Sequence, residues 1–303
     1  MTRRLRGARG PRSKGTALLL LCVSMLRCGR DTPTSPAIPP FGPPASSHVL
    51  VGAGDIAVCG SSGTEDTATL LDSIDGTVFT TGDNAYFTGS RQDFRDCYDP
   101  TWGRHKDRTR PTPGNHEYEH PGAAPYFEYF GESAGPDFLG YYSYMVGEWQ
   151  VLALNSNIAS GSGSAQGLWL RTELAAGARR CTVAYWHHAL FSSGPNGDAP
   201  QMRDIFRILH DAGAEIVIAG HEHSYERFAR QTADGVADPV RGIRQFVVGT
   251  GGASLSQFPT IRPNSEVRLS AHGVLKLTLA PGTFTWEFIT LSGTRDSGGG
   301  SCR

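Results

Sequence analysis

Six residues occupy one kind of place in the chain. Asp55, Asp83, Asn115, His187, His221 and His223 each stand just after a short apolar run or at a tight glycine turn. Carboxylate, amide oxygen and imidazole are together a donor set for zinc, manganese or iron rather than calcium. Six donors exceed what one tetrahedral ion takes. Two adjacent ions, with one aspartate able to bridge them, are the economical reading. Such a pair acidifies a bound water and neutralises charge on reacting oxygens, which suits hydrolysis of a phosphate ester. The His221-Glu222-His223 pair alone carries little weight; the four sites before it give it meaning.

These residues need elements that bring them together. Val49–Val51 reads as a strand closed by Gly52–Asp55, and Thr77–Thr81 as another, ending in Gly82–Tyr86. Between them the spacing predicts a helix over 65–74, with Thr64 as its N-cap and Ala68, Leu71 and Ile74 on one face. A short helix over 92–98 stops near Pro100, and Arg110–Pro113 leads into Gly114–Glu117. Further on, 141–146 and 149–154 form a hairpin, 166–176 a helix, and 181–186 a strand ending in His187-His188. A helix over 202–212 closes at Gly213. The β-branched run Glu215–Ala219 is a buried strand that Gly220 breaks. A strand at 245–248 and a hairpin joining 274–279 to 284–289 complete the chain. Strands alternating with helices, with a polar residue at each strand end, indicate an α/β layered fold whose ligands gather at the carboxyl ends of the strands.

Hydrophobic residues make up 39% of the 303, and the net charge is −1. That permits a large core, and the lack of a basic stripe beyond the N-terminus argues against a nucleic-acid partner. Arg3, Arg4, Arg6, Arg9, Arg12 and Lys14 precede an apolar run over 16–26 that is too short to span a bilayer. We read 1–30 as an export signal and 31–47 as a proline-rich linker, so no transmembrane segment is expected in the mature chain. Lipid attachment at Cys28 stays open, although Arg27 before it is a poor fit. The location is then periplasmic, cell-surface or secreted. Cys59, Cys97, Cys181 and Cys302 are even in number, as an exported disulfide protein requires. The sequence does not determine their pairing; Cys59 with Cys97 and Cys181 with Cys302 is the pairing we expect.

Taken in order, Gly54-Asp55, Gly82-Asp83-x-x-Tyr86, Gly114-Asn115-His116-Glu117, the strand ending at His187 and Gly220-His221-x-His223 resemble the five blocks of the calcineurin-like metallophosphoesterases. Tyr86 and Tyr225-Glu226-Arg227 narrow the resemblance to the purple acid phosphatase branch. It covers Asp55 to Arg227 directly and most of the mature chain through the flanking strands. The resemblance implies a catalytic domain over 48–303, folded as a four-layer sandwich of two mixed β-sheets flanked by helices. It implies that Asp55, Tyr86 and His223 bind a first ion, that Asn115, His187 and His221 bind a second, and that Asp83 bridges. A phenolate favours a trivalent ion, so Fe3+ with Zn2+, Mn2+ or Fe2+ fits. The implied activity is acid-type phosphomonoester hydrolysis by a water activated between the ions. His116 resembles the family histidine that contacts phosphate and protonates the leaving alkoxide, and Glu117 is placed to orient it.

Two departures stand out. Many relatives carry another phosphate-binding histidine about ten residues after the counterpart of His187, and Ser193–Asp198 has none. Asn196 can substitute as a neutral donor, or His188 can take over; the other place for His188 is packed against the sheet with its ring satisfied by a carbonyl. Asp55-Ile56-Ala57 lacks the Asp-x-His of many phosphodiesterases, which favours the purple phosphatase arrangement. A phosphodiesterase or nucleotide pyrophosphatase on the same core, and a non-catalytic surface binding protein keeping the fold, remain as alternatives. Gly249–Gly252 is not followed by the Lys-Ser/Thr of a nucleotide loop, and Ser192-Ser193 lacks a nucleophile-elbow context.

Overall fold

The computed structural model describes residues 46–176 and 181–303. In chain order the elements are β1 (His48–Ala53), α1 (Ser62–Asp72), β2 (Thr77–Thr81), α2 (Arg91–Asp93, continued by a π turn over Phe94–Tyr98), β3 (Thr109–Thr112) and α3 (Ala124–Phe130). Next come β4 (Tyr142–Val146), β5 (Trp149–Ala153), α4 (Ala165–Ala176), β6 (Thr182–His188), α5 (Arg203–Ala212) and β7 (Ile216–Gly220). The chain ends through β8 (Tyr225–Phe228), β9 (Arg244–Val248), β10 (Ser265–Leu269), β11 (Val274–Ala280), β12 (Thr283–Thr290) and β13 (Gly293–Ser301).

The strands make two mixed sheets, in the orders β13-β12-β11-β1-β2-β3 and β10-β8-β9-β7-β6-β5-β4. Parallel pairing joins β1 to β2 and β2 to β3 in one sheet, and β5, β6, β7 and β9 in the other. The continuous apolar run of β7 follows from burial on both faces. Ile216 and Ile218 join Leu50 and Phe79 in a core between the sheets, where Phe79 meets Tyr185, while Val217 and Ala219 pack with Ile205, Phe206 and Leu209 of α5. The same alternation separates Val183 and Tyr185 from Ala184 and Trp186 in β6. Two sheets facing each other, with helices outside, are therefore the architecture the sequence predicts.

Both expected disulfides are present, Cys59–Cys97 and Cys181–Cys302. The first ties the loop after β1 to the π turn after β2; the second joins the start of β6 to the end of the chain. Among the described residues no helix is long and apolar enough to cross a membrane. The export signal at 1–30, Cys28 and nearly all of the linker at 31–47 lie outside the described residues.

Several local expectations need correction, and β3, α3 and β8 are elements that the sequence reading did not name. Thr64 is not the cap of α1: the helix starts earlier, at Ser62, and the Thr64 hydroxyl donates to the Ile56 carbonyl at 3.0 Å. Strand β10 has too little apolar patterning to be seen in the sequence. Strand β13, Gly-Thr-Arg-Asp-Ser-Gly-Gly-Gly-Ser, reads as a loop because glycine weakens a strand. It forms because Trp286 and Phe284 of β12 lie across it. A Cβ at Gly298 would fall 2.2 Å from the Trp286 ring, so only glycine leaves room for the indole.

Candidate metal centre

The carboxyl ends of β1, β2, β6 and β7 meet where the two sheets face each other. Just past β1 the Asp55 N–H donates to the Gly82 carbonyl at 3.0 Å, and the His221 N–H at the end of β7 donates to Asp55 Oδ2 at 2.9 Å. Asp55, Asp83 and His221 all have left-handed backbone, with φ of 57°, 49° and 70°. Residues other than glycine rarely take that conformation, and it costs about 1–2 kcal/mol each. All three side chains turn into one crevice as a result. Gly114 and Gly220 are required by closeness: a Cβ there would lie 2.1 Å from Asp83 Oδ1 and 2.7 Å from Asp55 Oδ2.

The donor atoms fall into two sets that share one oxygen. In the first, Tyr86 Oη lies 3.1 Å from Asp55 Oδ1, from Asp83 Oδ2 and from His223 Nε2, and His223 Nε2 lies 3.3 Å from Asp55 Oδ1. In the second, His187 Nε2 lies 2.9 Å from Asn115 Oδ1, 3.1 Å from His221 Nδ1 and 3.3 Å from the same Asp83 Oδ2. Two main-chain carbonyls set the imidazoles. His187 donates Nδ1–H to Thr81 and His223 donates Nδ1–H to Ser254, each at 2.8 Å, which turns both Nε2 lone pairs into the crevice. Such an outer hydrogen bond is how proteins orient a histidine ligand.

Without a cation this arrangement has too few protons. The Tyr86 hydroxyl has one hydrogen for two carboxylate oxygens and an imidazole nitrogen at 3.1 Å. Burial, then Asp55 and Asp83, push its pKa far above the ordinary tyrosine range. Burial alone would raise Asp83, but the His187 imidazolium outweighs it and holds the carboxyl well below its usual range. Burial likewise opposes charge on His187 and His223, yet Asp83 and Asp55 respectively bring both up to about 9. His221 is pushed down to about 4 by burial and by His187. A nest of acceptors holding borrowed protons fits cations in their place. Asp55, Asp83 and His187, all buried, place ligand atoms within 4.8 Å of one another, as do His187, His188 and His221.

All seven residues expected to bind metal are thus gathered at one place. Of the four further site residues, Glu117 and Asn196 are engaged with the main chain, while His116 and His188 lie against the donor sets. Glu117 does not orient His116. Its buried carboxylate accepts the N–H groups of Asp83, Asn84, Ala85 and Gly114 at 3.0, 2.8, 3.3 and 2.6 Å, and so staples the Asp83 loop to the Asn115 loop. Burial and Asp83 push Glu117 up to about 7. His116 instead gives Nδ1–H to the Phe87 carbonyl, lies tilted against Tyr86 with ring centroids 4.6 Å apart, and has Nε2 3.8 Å from Asp83 Oδ2. Asn196 uses its amide on the His221 carbonyl at 3.0 Å, so it holds the end of β7. The His188 ring is held by a hydroxyl: Nδ1 is 2.8 Å from Ser156 Oγ, and the ring lies 4.5 Å from that of His221.

Ser156, Thr81 and Ser254 escape the sequence reading. Ser156 follows β5 at the same kind of strand end as the metal candidates, and that position was its one available signal. Thr81 and Ser254 act through main-chain carbonyls, which no residue type reveals. Glu222, between the two histidines, is buried with its carboxylate against Gly194.

The calcineurin-like phosphoesterase model matches residues 48–225, more than half of the chain. The chain belongs to the calcineurin-like phosphoesterase family. Within that family it is 32% identical to purple acid phosphatase 15 of Arabidopsis thaliana over 171 residues, which cover 50% of this chain and 32% of that protein. An uncharacterised Mycobacterium tuberculosis protein is 27% identical over 187 residues, 48% of this chain and 35% of the other. The match therefore spans about a third of the length of these curated relatives. The yellow lupin purple acid phosphatase PPD1 superposes with a TM-score of 0.71 at 20% identity, over 85% of this chain and 54% of that one. GAP50, the anchor in the inner membrane complex of Plasmodium, superposes with a TM-score of 0.66 at 12% identity, over 85% and 89%. Both share the fold of this calcineurin-like phosphoesterase, two mixed sheets flanked by helices.

Proposed function

We propose that this phosphoesterase is a binuclear metal-dependent hydrolase of phosphate monoesters. Asp55, Tyr86 and His223 hold one ion; Asn115, His187 and His221 hold the other; Asp83 lies between them. The observation that carries this reading is the shared oxygen: Asp83 Oδ2 is 3.1 Å from Tyr86 Oη in one set and 3.3 Å from His187 Nε2 in the other. A phenolate, two carboxylates and one imidazole suit a trivalent ion such as Fe3+. The second set, mostly neutral, suits Zn2+, Mn2+ or Fe2+.

When bound, the two ions supply an acidified water and positive charge for the phosphoryl oxygens. The chain's own residues do the rest. Glu117 keeps the Asp83 and Asn115 loops in register, and Thr81 and Ser254 keep His187 and His223 aimed. His116 serves as the general acid. With Nδ1–H committed to the Phe87 carbonyl, only the doubly protonated ring can donate from Nε2.

The curated match to purple acid phosphatase 15 and the five ordered blocks support the same activity. Two disulfides support export to a periplasmic, cell-surface or secreted location. The test is metal analysis of chelator-free protein, together with turnover of a monoester and a diester chromogenic substrate. We expect about two metal equivalents, a visible tyrosinate-to-iron band, and faster monoester cleavage. Faster diester cleavage would place the protein among phosphodiesterases instead. Two bound ions with no hydrolysis of either ester would make it a binding protein.

A further inference from the structure

Three histidines of the site are tied back at Nδ1, and they differ in the partner that holds them. His187 and His223 give Nδ1–H to carbonyls, and a carbonyl can only accept, so in the neutral ring Nε2 is the nitrogen that offers a lone pair inward. His188 has a hydroxyl in that place. The Ser156 Oγ already accepts the main-chain N–H of His188 at 3.0 Å and sits 2.8 Å from its Nδ1. A serine hydroxyl has one proton to give. Ser156 is buried, at 5% exposure, and among the described residues its hydroxyl has no other acceptor. The proton therefore goes to Nδ1, and the ring's own hydrogen sits on Nε2. This is the reverse of the metal-facing tautomer.

His188 nonetheless borders the second donor set. Its ring lies 4.5 Å from that of His221 and 4.9 Å from that of His187, and it has a ring nitrogen within 4.8 Å of a nitrogen of each. Three imidazoles this close resemble a three-histidine metal site, but the hydrogen on Nε2 argues against His188 as a ligand. It argues for a hydrogen-bond donor aimed at an anion.

We propose that His188, held by Ser156, donates Nε2–H to a phosphoryl oxygen of the substrate on the His221 side of the centre. This rests on the binuclear phosphoesterase reading and assigns the phosphate contact within it. His188 is the substrate-touching group and Ser156 the positioning residue. His188 also makes the site discriminate: a tetrahedral oxyanion accepts its hydrogen, whereas a neutral ester oxygen accepts it poorly. Monoesters and inorganic phosphate should benefit most.

The test uses the full metal-loaded chain, with inorganic phosphate as the probe by titration calorimetry and metal content measured on each sample. His188→Ala should retain both ions and bind phosphate about 10- to 100-fold more weakly, the usual effect of losing a hydrogen bond to a charged group. The monoester KM should rise with it. His188→Gln places an amide N–H near the old Nε2 and should stay within a few-fold of wild type. Ser156→Ala frees the tautomer and should weaken phosphate by about 3- to 10-fold, as for a neutral hydrogen bond. Unchanged phosphate affinity in His188→Ala overturns the proposal. So does loss of an ion from that variant, which would make His188 a ligand, or equal losses in the Ala and Gln variants, which would make it a buttress for His221. A wild-type chain that binds no metal pair brings down the underlying reading as well, and is recognised before any variant is measured.

Discussion

The two donor sets share Asp83 and little else. Around Tyr86 the donors are two aspartates, a phenol and one histidine; around His187 they are one aspartate, an amide and two histidines. The first set is anchored by the loop after β1, which Cys59–Cys97 ties to the segment following Tyr86. The second hangs on the Asn115 loop, held by Glu117, by Asp83 Oδ1 on the His116 N–H and by Asn157 on the Pro113 carbonyl, and on the ends of β6 and β7. Like chemistry is thus divided unevenly, with the charge concentrated on one side and neutral nitrogen on the other. Local potential, rather than ligand number, is what would make two neighbouring ions differ in kind.

The most severe way to break the comparison is to remove what the halves share. Asp83→Asn should lose both ions and reduce turnover to background, read by metal analysis and a monoester assay. Loss of one ion with the other fully retained would show the halves to be independent. His116 belongs to neither set, so His116→Ala should keep both ions and lose about 10²–10⁴-fold in rate, the usual worth of a general acid. A fall in metal content there would show that the ring has a ligating role.

Single-sided substitutions sharpen the contrast. Tyr86→Phe should abolish the visible band and weaken the first ion, while Asn115→Ala should weaken only the second. Glu117→Gln should act mainly through the Asn115 side, lowering metal affinity about 10- to 100-fold, as loss of an outer partner does. Equal losses on both sides would show that Glu117 supports the whole crevice.

The smallest effect concerns pH. In the metal-free chain His187 and His223 are raised to about 9, above the ordinary value of about 6.5. A raised histidine stabilises the fold fully below the unfolded value, and that contribution is lost as pH rises through the folded one. The metal-free melting temperature should therefore fall between about pH 6.5 and 9, by about 2–4 °C for each kcal/mol lost. The metal-loaded protein, in which ions replace those protons, should not show this fall. A metal-free melt that is flat across the window would mean that Asp55 and Asp83 do not hold protons on those rings.

Much of this was legible beforehand, for identifiable reasons. Strand β2 has the limits its β-branched run suggests, α4 and α5 follow their apolar spacing, and the seven proposed ligands mark strand ends by residue type. The unread parts depend on partners distant in sequence. Glu117 lies next to His116 in the chain but faces four N–H groups, three of them more than 30 residues away. The tautomers of His187, His188 and His223 are set by Thr81, Ser156 and Ser254, none of which attracts notice alone. Strand β13 exists because two aromatic rings across from it need glycine's missing side chain.

Anomalous diffraction from crystals of the metal-loaded protein tests the central claim most directly. Two peaks are expected flanking the Asp83 carboxylate, one within reach of Tyr86 and the other of His187. A single peak, or a pair that leaves Asp83 uncoordinated, would contradict it.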